Sequence, residues 1–173
     1  KTRGPLVDSG EVDMIAATFT VTDERRKLWD FSEIYMQDPI AIMVKKAAGF
    51  SSFKDLNGKT VGVSQAATTK KTLTAEAAKA GITLKFSEYA TYAEIKAALD
   101  SGRIDAFSVD SSILAGYMEP SVTLLGERYS PQNYGIAVKK GNKALLAVIN
   151  ETIAEMEKSG EMAQIKAKFN LDK

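Results

Sequence analysis

The chain has 173 residues, with 23 Lys and Arg against 22 Asp and Glu, a formal net charge of +1, and 45% hydrophobic and 26% charged residues. That length suits one good core or two small lobes, and the near-neutral balance argues against a general nucleic-acid or membrane-surface role. His and Cys are both absent, which removes thiol nucleophiles, Ser-His triads and nearly all zinc chemistry, and no run approaches the roughly 18 apolar residues of a membrane span.

In chain order, the first residues read as the end of a helix that starts at or before Lys1 and stops at Gly10, so the chain reads as beginning inside a domain. Val12 to Ala17 is an apolar strand. Thr22-Asp23-Glu24-Arg25 reads as a helix start, with a Thr cap, acidic residues in the first turn and Arg25 at the third helical position. IAIMVKK (Ile40 to Lys46) is a strand. Phe53 to Gly58 is a short helical turn, and Thr60 to Val63 is a strand. A helix over Lys70 to Lys79 stops at Gly81. Leu84 to Ser87 is a strand, Tyr92 to Leu99 a helix, and Ile104 to Val109 a strand leading into a helix capped by Asp110 or Ser111. Val122 to Leu125 and YGIAVKK (Tyr134 to Lys140) are strands. Two helices, Lys143 to Lys158 and Glu161 to Phe169, close the chain.

LVDSGEVDMIAAT (Leu6 to Thr18) aligns without gaps on ALDSGRIDAFSVD (Ala98 to Asp110). Each copy reads as a helix end, a Ser-Gly turn and an apolar run in the manner of a buried parallel strand. A match this short also arises by chance, because helix-turn-strand units are common. Taken as a repeat, it points to two related α/β lobes with polar groups beyond the carboxyl ends of their strands, where ligands bind in open sheets. Strand-helix alternation from Thr60 to Leu125 predicts a parallel sheet. The echoing strands ending in VKK bracket that unit as hinges, near 44 to 46 and 134 to 136. The expected division is 1–43 in lobe one, 44–136 as a continuous lobe two, and 137–173 returning to lobe one.

Three groups could carry function. Arg25 is electrostatically misplaced at a helix start, which a carboxylate ligand would resolve; a solvated arginine is the plain alternative. The hydroxyls of Thr18, Thr20 and Thr22 lie just before it. Asp110 ends a strand and opens a helix, as an ordinary cap or as the partner of an ammonium. Ala66-Ala67-Thr68-Thr69 puts small residues at a strand-helix turn, where backbone amides form an anion site or Thr68 simply caps the next helix. The phosphate-binding patterns GxxxxGK[ST] and GxGxxG are absent. An Arg, an Asp and threonine-flanked helix starts match the carboxylate and ammonium of an amino acid. No base, nucleophile or metal cluster stands beside them, so binding fits better than catalysis.

FTVTDERR, WDFSEIY, IAIMVKK, FKDLNGKTVGVSQAATT, IKAALDSGRIDAFSVD and YGIAVKKG together resemble the polar-amino-acid solute-binding proteins of ABC transporters, over essentially the whole chain. TRGPL, QAATTKK and DAFSVD look most like the aspartate/glutamate-binding members. The resemblance implies a two-lobe α/β fold of the periplasmic-binding-protein type II kind, with parallel-type sheets flanked by helices. It implies no enzymatic activity, no cofactor and no metal. By the same resemblance Arg25, helped by Thr20, would hold the ligand α-carboxylate, and Thr18 would offer its carbonyl to the α-ammonium. Asp110 would be the ammonium's charged partner. Thr68 and Thr69 would contact carboxylate oxygens, and Tyr134 would sit at the second hinge beside the cleft. Arg3 would pair with a side-chain carboxylate, which a guanidinium binds bidentately.

The implied function is closure of two lobes on L-aspartate or L-glutamate and delivery to an ABC transporter permease. The implied location is periplasmic or extracellular, held at the membrane by a partner or a lipid anchor. Family members begin some sixty to seventy residues earlier, so lobe one is expected to be incomplete, needing a complementary N-terminal segment or strand exchange with a second copy. The alternatives are a sensor or receptor ligand-binding domain, a dehydratase-like enzyme on the same fold, and a surface protein with adhesive function.

Overall fold

The computed structural model describes residues 2–169 and 171; residue 1 and residues 170, 172 and 173, which belong to the first and last expected lobe segments, lie outside it. In chain order the elements are α1 (Arg3–Ser9), β1 (Met14–Ile15), α2 (Asp23–Leu28), β2 (Trp29–Phe31), β3 (Met36–Lys45), β4 (Thr60–Ser64), α3 (Thr69–Ala80), β5 (Lys85–Tyr89), α4 (Tyr92–Asp100), β6 (Ala106–Asp110), α5 (Ser111–Ala115), β7 (Val122–Leu124), β8 (Tyr129–Tyr134), β9 (Ala137–Lys139), α6 (Lys143–Ser159) and α7 (Glu161–Lys168). The chain forms two compact units. One is Asp38–Gln132; the other joins Thr2–Gln37 to the segment from Asn133 onward. The chain passes from one to the other at 37/38 and 132/133, inside β3 and β8. The sequence placed these passages at 43/44 and 136/137.

The continuous unit is built on a six-stranded sheet of order β5-β4-β6-β3-β7, with β8 also paired to β3. β4 runs parallel to β5 and β6, whereas β3 runs antiparallel to β6 and β7. The strands of the alternating stretch, β4, β5, β6 and β7, thus share one direction, as strand-helix alternation leads one to expect, and the sheet is mixed because β3 runs against them. β3 enters from outside the alternating stretch, so no crossover helix forces it to run with the others. Alternation along β3 divides the core. Ile40, Ile42 and Val44 face one cluster with Phe53, Leu56 and Leu73. Ala41 and Met43 face the other, with Ile95, Leu99 and Phe107. All five of these β3 side chains are fully buried, as a strand covered on both faces requires. α4 lies close on the second face: a Cβ at Gly62 would stand 2.4 Å from Ile104 and 2.7 Å from Ile95. Thr91 and Glu94 form a reciprocal capping box at the start of α4.

The split unit has a three-stranded antiparallel sheet, β1-β9-β2. Val12 to Ala17 was expected to be a buried parallel strand. It is a correction: β1 holds only Met14–Ile15, runs antiparallel to β9, and leaves Val12 38% and Met14 46% exposed. The helix-turn halves of the repeat do correspond, since α1 stops at Gly10 (φ 79°) and α4 is followed by Gly102 (φ 74°). α1 itself begins at Arg3. YGIAVKK is two strands rather than one. β8 ends at Tyr134, β9 begins at Ala137, and between them Ile136 N–H bonds the Ser32 hydroxyl.

Two small clusters support this sheet. Val7, Ile15, Phe19, Phe31 and Ala137 form one. Val138, Ile149 and Ile153 form the other. Trp29 lies so near α1 that a Cβ on Gly4 would stand 2.4 Å from its ring, and its indole N–H donates to Asp8 at 2.9 Å. Asp30, nearly buried, receives the ammonium groups of Lys143 and Lys140 and the Gly141 amide. Those bonds hold its carboxyl well below the usual carboxylate range.

Candidate functional site

Each unit gathers some of the residues picked out by the sequence. In the split unit, α2 begins as expected: Thr22 caps it, its hydroxyl accepting from the Arg25 amide at 3.1 Å, and Arg25 is the third helical residue. The Arg25 side chain folds back, and Nη1 donates to the Thr20 carbonyl at 2.7 Å. Arg3, from the start of α1, donates through Nη1 to the Thr18 carbonyl at 3.1 Å. Between these carbonyls lies Phe19, buried, with the Arg25 guanidinium 4.2 Å and the Arg3 guanidinium 5.1 Å from its ring centroid. Two cations thus converge on one aromatic ring. Like charges held together in a partly desolvated place are stabilised by an anion. Phe31 stacks on Phe19 and Trp29 meets it edge-on, which fixes the ring.

Thr20 is buried and forms a bridge with Tyr134, and Val21 N–H bonds the Asn133 carbonyl at 2.8 Å. Tyr134 is 1% exposed. It belongs to the packing that holds the Thr20 backbone.

In the continuous unit the register brings two further candidates to one end of the sheet. β4 and β6 are parallel neighbours, with Gly62 opposite Phe107, so the turn after β4 and Asp110 at the end of β6 lie at the same carboxyl edge. Asp110 is 6% exposed and occupies the cap position of α5, yet its side chain makes no capping bond. The carboxylate serving that helix is Asp38, whose oxygens accept from the Ser112 amide at 3.1 and 3.3 Å and from its hydroxyl. The expectation that Asp110 or Ser111 caps the helix is corrected accordingly: β3 delivers Asp38 to the place that a local cap would fill.

The turn after β4 is tight. Ala66 has φ 59°, a left-handed conformation uncommon for a residue with a side chain. Thr68 is the cap residue of α3, but its hydroxyl makes no cap bond and instead donates to Gln132 Oε1 at 2.6 Å. Thr69 is 1% exposed. Among the described residues, no cluster of three or more acidic side chains could hold a metal ion, and no helix is long and apolar enough to cross a membrane.

Three participants escaped the sequence reading: Phe19, Asp38 and Gln132. Phe19 had a signal, because it lies between the threonines that were named. Asp38 and Gln132 act on Ser112 and Thr68, partners 74 and 64 residues away, which local pattern does not reveal.

Two α/β units, one continuous and one assembled from both ends of the chain, with mixed or antiparallel sheets flanked by helices, define the periplasmic-binding-protein type II class of fold. Solved structures agree. An ancestral arginine-binding protein bound to arginine is similar to the chain with a TM-score of 0.86 and 36% identity, over 97% of this chain and 76% of that one. The chain belongs to the bacterial extracellular solute-binding proteins, family 3, which it matches over residues 1–172. Among curated relatives, the ABC transporter glutamine-binding protein GlnH of Bacillus subtilis is 35% identical over 172 residues, 98% of this chain and 62% of that protein. The L-glutamate/L-aspartate-binding protein of Pseudomonas aeruginosa is 32% identical over 176 residues, 98% of this chain and 58% of that one. The chain therefore spans about three fifths of the length of these relatives.

Proposed function

We propose that the chain binds an acidic L-amino acid, aspartate or glutamate, for delivery to an ABC-type membrane permease outside the cytoplasm. The observation that carries this reading is the pair of guanidiniums on Phe19. One carboxylate satisfies one guanidinium; two guanidiniums favour a ligand with two carboxylates. In this reading Arg25 takes the α-carboxylate beside Thr20, and Arg3 takes the side-chain carboxylate. In the split unit the Thr18 carbonyl is the group suited to an ammonium; in the continuous unit that group is Asp110, with Thr68 and Thr69 at the start of α3 as further candidates. Tyr134 acts indirectly, by holding Thr20.

The relatives named above bind glutamine, glutamate or aspartate, and arginine by their names. The acidic preference thus rests on Arg3 alone. Binding without chemistry is proposed because these groups orient a zwitterion but supply no nucleophile or paired acid and base.

The split unit supports a second element of the reading, that further polypeptide completes it. Its sheet is narrow, and an apolar groove of about 540 Å³ runs along it, lined by Met14, Tyr35, Ile136, Val148, Ile153 and Met156. Val148 is 59% exposed. An additional segment, or a strand from a second copy, would cover this face.

Thermal unfolding with millimolar L-glutamate, L-aspartate and L-glutamine tests the ligand. A melting temperature raised more by the acidic pair supports the reading, since ligand at about 100 times Kd adds about 2.7 kcal/mol. Equal shifts for glutamate and glutamine would remove Arg3 from its role.

A further inference from the structure

Gln132 is 3% exposed. Its side-chain amide joins two segments far apart in sequence: Nε2 donates to the Ser130 carbonyl at 2.6 Å, and Oε1 accepts from the Thr68 hydroxyl at 2.6 Å. Elementary chemistry fixes which amide atom faces which partner. A backbone carbonyl only accepts, so the nitrogen must face Ser130. The oxygen then faces Thr68, and the hydroxyl must give it its single proton. Toward any other group, Thr68 Oγ1 presents lone pairs. A ligand N–H is welcome there and a carboxylate oxygen is not.

The same amide ties together two strained places. Among the described residues, Ala66 (φ 59°) and Ser130 (φ 28°) alone combine a side chain with positive φ. Ala66 lies two residues before Thr68, and Ser130 two residues before Gln132. Strained backbone persists where its surroundings over-determine it, and a buried amide bonded at both ends is such a constraint.

We propose that Gln132 is a positioning residue that holds the 64–69 turn against β8 and sets the Thr68 hydroxyl as a hydrogen-bond acceptor toward the ligand. The second half rests on the proposed function, in which Thr68 meets the ligand. It also divides labour at that turn: the hydroxyl takes an N–H of the ligand, and any carboxylate contact falls to backbone amides.

The test uses Gln132→Met, which keeps length and removes both bonds, and Gln132→Glu, which keeps the acceptor and loses the donor at neutral pH. Backbone amide exchange in Gln132→Met should quicken about tenfold both in 129–134 and in 64–69. Quickening confined to 129–134 would overturn the positioning role. In glutamate titrations, Gln132→Met should lower affinity about five- to tenfold when Thr68 is present and much less in a Thr68→Val background, because it acts through the Thr68 hydroxyl. Equal losses in the two backgrounds would overturn the acceptor role, because a merely structural residue would act with or without that hydroxyl. Gln132→Glu should regain wild-type exchange as the pH falls through its carboxyl pKa and the acid becomes a donor again; exchange independent of pH would contradict the two-bond account. If the wild-type chain takes up neither glutamate nor aspartate, the functional reading and the acceptor half fall together. The exchange measurement then decides the positioning half by itself.

Discussion

The two units solve the same packing problem with different means. The continuous unit has a six-stranded sheet whose central strands are covered on both faces, so Ile40 to Val44 vanish from solvent without exception. The split unit has strands of two or three residues, two small clusters, and apolar side chains such as Met14 and Val148 left in the open. Area removed from water drives folding at about 25 cal/mol per Å². The unit with two covered faces therefore holds most of the stability, and the split unit depends on fixing a few particular contacts: Trp29 on Gly4, the Phe19 ring under two arginines, and Asp30 under two lysines.

This contrast can be broken by unfolding. Trp29 is the sole tryptophan and reports on the split unit. Its fluorescence should change at lower denaturant than far-ultraviolet ellipticity, which is dominated by the other unit; coincident transitions would contradict the division of stability. The largest mutational effect belongs to the continuous core. Phe107→Ala, at a fully buried ring between Tyr92 and Tyr117, should cost about 3–5 kcal/mol and move the ellipticity transition while Trp29 fluorescence shifts less.

A smaller effect sharpens the split-unit side. Asp30→Asn should destabilise by about 1–2 kcal/mol at neutral pH, measured by Trp29 fluorescence in urea. The carboxyl is depressed in the folded chain below its ordinary 3.8. Its contribution is therefore complete above that value and is lost as the pH falls below it toward the folded pKa. The gap between wild type and variant should close at acid pH; a gap that persists at low pH would point to packing instead. The smallest effect is expected at Lys96, whose ammonium meets Asp100 and Glu119. Burial opposes its charge, but the two carboxylates prevail and raise its pKa. Both acids are about half exposed, so Lys96→Met should change stability by about 1 kcal/mol or less, with salt narrowing the difference.

How much could be read in advance follows the same division. Helix ends were legible where local chemistry sets them: Gly10 and Gly81 stop helices with positive φ, and Thr22 caps one. Strands of the continuous unit were legible as apolar runs, and strand-helix alternation gave the common direction of β4 to β7, but not the opposite direction of β3. An apolar run looks the same whether its neighbour runs parallel or antiparallel. The split unit read less well, since Val12 to Ala17 has the composition of a buried strand and only two residues find a partner. For the site, Arg25 and Thr22 declared themselves by position in a helix start. Asp110 was placed correctly at a strand end, but its capping role went to Asp38. Gln132 gave no signal, because a buried amide matters through its partners, and those were 64 residues away.

The most direct measurement is calorimetric titration of the chain and its Arg25→Ala variant with L-glutamate and with L-glutamine. The account predicts that the folded wild type binds glutamate more tightly than glutamine. It predicts that Arg25→Ala loses at least tenfold in affinity for both, in keeping with about 1.5–3 kcal/mol for a charged hydrogen bond. Wild-type affinity in the variant, or heat from neither ligand in a cooperatively folded sample, would contradict it.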